Sequence, residues 1–103
     1  MTVKEQALSL IEGEWSLLRE RYAVRRIGLF GSCTRAEERP DSDVDILVEF
    51  ERKTFDNYMG LKFFLEDHLG RRVDLVIADS IKPRLREAIL QEVEYAAGAA
   101  SIR

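Results

Sequence analysis

The stretch from Ser42 to Phe50, SDVDILVEF, restricts the fold more than any other part of this chain. Successive side chains of an extended strand point to opposite faces, so Val44, Ile46, Val48 and Phe50 share one face. Asp43, Asp45, Leu47 and Glu49 share the other. A helical winding would scatter both sets around its axis. The apolar face has to be covered by a hydrophobic layer, and the opposite face opens with two carboxylates, a residue type that strands disfavour. The stretch therefore predicts a strand with one core side and one side that begins with Asp43 and Asp45.

The neighbouring segments supply the covering layer. Leu8, Ile11, Trp15, Leu18 and Tyr22 recur at three- and four-residue steps and predict one helical stripe. Val24 to Phe30 predicts a strand that stops at the Gly31-Ser32 break, and TRAEE beyond it has the composition of a short helix. Thr54 is placed to cap a helix running through Phe55, Met59, Lys62, Leu65 and Leu69, with Gly70 ending it. Arg72 to Ile77 predicts a third strand, with Val73, Leu75 and Ile77 on one face and Asp74 on the other. Pro83 suits the first turn of a last helix whose apolar positions are Leu85, Ile89, Val93 and Ala96. The order is a two-layer α/β arrangement. Two inter-strand connections are long enough for parallel pairing, and the strand order is left open.

With 103 residues, 46 % of them hydrophobic and 34 % charged, the chain has room for one domain spanning residues 1–103 and one modest core. No run reaches the ~18–20 apolar residues of a membrane span, and the N-terminus has no signal-peptide core. A lone Cys33 forms no internal disulfide, which makes a reducing cytoplasm the expected compartment. A net charge of −3 and a pI near 5.2 argue against long nucleic acid as a ligand. A single nucleotide held through metal is compatible with that charge.

Gly31 and Ser32 follow a strand directly, where backbone N–H groups, a hydroxyl and a helix start can receive a phosphate. Ordinary turns look the same. Asp43 and Asp45, two apart on a strand, lie ~7 Å apart at Cα and point one way, so they can converge on a hard cation such as Mg²⁺. They can equally well sit at a solvated strand entrance. Asp74, with the same alternation on the next strand, either joins them to complete a two-metal phosphoryl-transfer cluster or pairs with Arg71 or Arg72.

GSCTRAEERPDSDVDILV resembles the signature of the polymerase-beta-like nucleotidyltransferase superfamily: a Gly-Ser pair, a short basic stretch, then Ser-Asp-x-Asp with apolar residues following. It is most similar to the minimal nucleotidyltransferase (MNT) group, domains often encoded beside a HEPN protein as toxin–antitoxin pairs. The resemblance runs from about Val24 to Ile77. It implies a nucleotidyltransferase fold, a small mixed sheet flanked by helices. It further implies that Gly31 and Ser32 bind the triphosphate of ATP, that Asp43 and Asp45 hold two Mg²⁺ ions, and that Asp74 completes the metal site and assists the acceptor hydroxyl. Arg35 either touches phosphate or pairs with Glu37 or Glu38. Many MNT sequences have Gly where this one has Ala36. Cys33 reads as a small packing residue, and His68, at a helix C-terminus, as structural.

The function implied is transfer of AMP from ATP to a tyrosine of a HEPN ribonuclease toxin. A chain of this length has no residues left for a separate acceptor-binding domain, which favours an acceptor supplied by a partner. The alternative is a binding module that silences the toxin by contact alone. Homo-oligomerisation is left open.

Overall fold

The structure, a computed structural model, describes residues 2–31, 34 and 43–96. Helix α1 (Val3–Gly13) opens with a reciprocal cap in which Thr2 accepts from the Glu5 N–H and Glu5 accepts from the Thr2 N–H. Helix α2 (Trp15–Tyr22) follows at once. The apolar stripe expected to form one helix is thus divided at Gly13 and Glu14, where glycine weakens the helix interior and Glu14 takes non-helical dihedrals. The break lets each half turn its own residues inward: Val3, Ala7 and Ile11 from α1, Leu18 from α2.

Strand β1 (Val24–Phe30) occupies the expected span, and β2 (Val44–Phe50) begins after Asp43. Helix α3 (Phe55–Leu69) also has the expected limits. Thr54 accepts from the Asn57 N–H, and Gly70 takes the left-handed conformation that ends the helix. Strand β3 (Val73–Ile77) leads through a 3-10 turn (Ala78–Ser80) to α4 (Pro83–Glu92), with Pro83 in its first turn. Helix α4 stops at Glu92, and the chain then adds a two-residue strand, β4 (Glu94–Tyr95). Val93 and Ala96, expected on the helix, instead flank this strand. The short helix expected on TRAEE falls almost wholly outside the described residues.

The four strands form a mixed sheet in the order β3-β2-β1-β4. β2 runs antiparallel to β1 and parallel to β3, and β4 runs antiparallel to β1. Helix α3 forms the crossover that a parallel β2–β3 pair requires. Ile27, Leu29, Val44, Ile46, Val48, Val73 and Leu75 point to one face and pack with Ile11, Leu18, Leu61 and Leu65 of the first three helices. Leu47 is buried as well, on the opposite face, so that face is only partly polar. Helix α4 buries none of its residues.

Candidate active site

Three cross-strand rows build the face turned away from the core. Arg26 of β1 stands opposite Glu49 of β2 and binds it through Nε at 3.0 Å and Nη2 at 2.7 Å. Next, Gly28, Leu47 and Val76 lie side by side across β1, β2 and β3. The last row, at the end where β1 finishes, is Phe30, Asp45 and Asp74. Parallel pairing in register puts Asp45 and Asp74 on neighbouring strands with their side chains on the same face. Asp43 lies two residues before Asp45, and its carboxylate meets the Arg72 guanidinium at 3.4 Å. That ion pair is largely open to water, where such pairs contribute little.

Asp45 is the carboxylate most affected by this company. Its pKa is pushed up from 3.8 to about 6, first by burial, then by the Asp74 charge and a hydrogen bond with Asp74, and further by Asp43 and Glu92. Burial and the neighbouring Asp74 both favour the protonated form of Asp45, and a cation held between the carboxylates would relieve the same repulsion.

Gly31 closes the site on the β1 side. It has φ +78°, and a Cβ built on it would collide with the Asp45 carboxylate. Glycine is required here because the chain turns directly over Asp45. The turn is held at both ends: Gly31 N–H donates to Glu92 Oε1 at 2.5 Å, and Thr34 donates to Gly31 O through its N–H at 3.1 Å and its hydroxyl at 2.8 Å. Glu92 was absent from the expected site. No signal in α4 marks it, because its approach depends on β4 pairing with β1.

The structure thus brings together Gly31, Asp45 and Asp74, with Asp43 at the strand entrance beside Arg72. Ser32 and Arg35, with Cys33 and Ala36, lie outside the described residues. His68 is exposed in the last turn of α3, its Nδ1 2.9 Å from Phe64 O and its ring 4.2 Å from the Phe64 ring. The donor chemistry is all carboxylate oxygen, which fits a hard cation such as Mg²⁺. Among the described residues no three acidic, His or Cys side chains already form a closed metal cage. A site that also takes ligands from substrate phosphates needs fewer from the protein.

The model of the nucleotidyltransferase domain family matches residues 13–96, which includes every element from α2 to β4. The chain belongs to this family. The nucleotidyltransferase domain is 44 % identical to the protein adenylyltransferase MntA of Thermococcus cleftensis over 96 residues, 92 % of this chain and 97 % of the relative. A solved structure of a candidate minimal nucleotidyltransferase superimposes with a TM-score of 0.77 at 41 % identity, covering 91 % of this chain and 95 % of that one. The structure of a tri-AMPylated Shewanella oneidensis HEPN toxin in complex with MNT antitoxin matches with a TM-score of 0.59 at 23 % identity, covering 85 % and 70 %. At that identity the likeness is one of fold. The expected minimal-nucleotidyltransferase fold and its mixed sheet are therefore present. Among the described residues no helix is long and apolar enough to cross a membrane.

Proposed function

We propose that this nucleotidyltransferase domain is a protein adenylyltransferase of the cytoplasm that moves AMP from ATP onto a tyrosine hydroxyl of a HEPN-type toxin, and so acts as its antitoxin. The observation that carries this reading is the Asp45–Asp74 pair, in register on parallel strands beneath the Gly31 turn. The name of the Thermococcus cleftensis relative, similar along nearly its whole length, supports the activity. The Shewanella oneidensis complex supports the kind of partner.

In this reading Gly31 and Ser32 receive the triphosphate and Arg35 adds a positive charge to it. Asp43, Asp45 and Asp74 would hold two Mg²⁺ ions, which supply charge neutralisation at the phosphates. Asp74, on the outer strand of the pair, accepts the proton of the acceptor hydroxyl. That oxygen forms a bond to the α-phosphorus, the bond from the α-phosphorus to the α,β-bridging oxygen breaks, and pyrophosphate leaves with the electron pair. No covalent nucleophile of the protein is needed, since positioning and charge stabilisation carry such transfers.

The test is to mix the domain, Mg·ATP and the HEPN-type protein encoded beside it, then weigh that protein intact. The expected result is a gain of whole AMP units on a tyrosine, lost with Asp43→Asn, Asp45→Asn or Asp74→Asn. An unmodified toxin that is nevertheless silenced, and silenced equally by the three variants, would replace catalysis with contact alone.

A further inference from the structure

Glu92 ends α4 and accepts the Gly31 N–H at 2.5 Å. It reaches that point through β4, which pairs Tyr95 with Gly28 and Glu94 with Leu29. Continuing the same antiparallel register brings Glu92 opposite Gly31. The close seating of β4 requires Gly28, where a Cβ would come within 2.8 Å of Glu94 O and 2.9 Å of Val93 Cγ2. Lys4 Nζ holds the Glu94 carboxylate at 2.8 Å, and the Arg26 guanidinium lies 4.2 Å from the centre of the Tyr95 ring. The edge strand is therefore tied down on both sides, and it delivers a carboxylate to the first residue of the turn over Asp45.

That placement sets an acidic side chain near the Asp45 and Asp74 carboxylates. Glu92 is one of the charges that raise the pKa of Asp45, so an acidic side chain here works against the ionisation of its neighbour. The compensating interaction is a charge-assisted hydrogen bond to a backbone N–H, stronger than a neutral one. With Thr34 holding the Gly31 carbonyl, both backbone polar groups of Gly31 have protein partners. We propose that Glu92 is a positioning residue of the nucleotidyltransferase site: through the Gly31 N–H it fixes where the phosphate-binding loop leaves β1, and hence where the nucleotide phosphates lie relative to Asp45 and Asp74. It acts through the backbone and does not contact the nucleotide. This rests on the nucleotidyl-transfer reading above.

The test compares Glu92→Gln, which keeps an acceptor oxygen, with Glu92→Ala, which removes it. Without nucleotide, hydrogen exchange of the Gly31 amide by NMR should be about tenfold faster or more in Glu92→Ala and near the parent rate in Glu92→Gln. Calorimetry with Mg·ATP should show affinity about tenfold weaker for Glu92→Ala and within about threefold of the parent for Glu92→Gln. Unchanged Gly31 exchange in Glu92→Ala would overturn the proposal. So would tighter ATP binding by Glu92→Ala, the mark of a carboxylate that competes with phosphate, and so would a Glu92→Gln variant as impaired as Glu92→Ala. A parent domain that binds no Mg·ATP would overturn the nucleotidyl-transfer reading and the link to phosphate with it. The exchange rates would then still decide whether Glu92 holds Gly31.

Discussion

Replacing Asp45 with Asn should make the nucleotide-free domain more stable, and only above a certain pH. An aspartate in the unfolded chain titrates near 3.8, and burial with Asp74 alongside raises Asp45 to about 6 in the folded domain. Between those values the folded state binds a proton that the unfolded state has lost, so stability falls as pH rises from about 3.8 to 6. Above pH 6 the cost is complete. At about 1.4 kcal/mol per pKa unit it would come to about 3 kcal/mol, and solvent screening of a half-exposed carboxyl reduces it to about 1–2 kcal/mol. Asn carries no charge and can still hydrogen-bond Asp74. Urea denaturation of parent and Asp45→Asn at pH 4 and pH 8 checks this directly. The variant should match the parent at pH 4 and exceed it by about 1–2 kcal/mol at pH 8. Added Mg²⁺ should narrow the gap at pH 8 by stabilising the parent. A variant destabilised equally at both pH values would show that Asp45 serves packing, and would refute the electrostatic account.

Two further outcomes follow from the same geometry. Gly31→Ala combines a left-handed backbone, which costs a side chain about 1 kcal/mol, with a collision against the Asp45 carboxylate, so urea melts should show a loss exceeding that figure; a variant as stable as the parent would mean that the turn does not pass over Asp45. Tyr58→Phe removes the hydroxyl that donates to Leu75 O at 2.7 Å across α3 and β3, and should cost about 1 kcal/mol in the same assay.

How much could be read from the residues depended on how local the cause was. Helix α3 has its start and stop written into Thr54 and Gly70, and both act within one turn, so its limits were legible. Strand β1 and the alternating faces of β2 were legible for the same reason. The division of the first helix was not, although Gly13 marks it: the stripe from Leu8 to Tyr22 keeps its spacing across the break, and only packing against the sheet shows that two shorter helices bury it better. β4 was hidden because Val93 and Ala96 fit a helical period, whereas their place is set by the exposed edge of β1. The candidate site follows this division. Gly31, Asp43, Asp45 and Asp74 stand out by residue type and alternation. The reason for Gly31 does not, because it lies in a carboxylate from another strand. Glu92 becomes visible only with the β1–β4 pairing.

The pairing of β2 with β3 ties the fate of the carboxylate pair to that of the interior. Residues of β3 alternate between the two faces, so sliding the strand by one position would carry Asp74 away from Asp45 and into the layer of helices. The same slip would turn Val73 and Leu75, both buried, out to water. A one-residue slip therefore cannot part the acidic pair while the interior stays intact. With the interior intact, the pair is lost either by replacing an aspartate or by a slip of two positions, which keeps both faces.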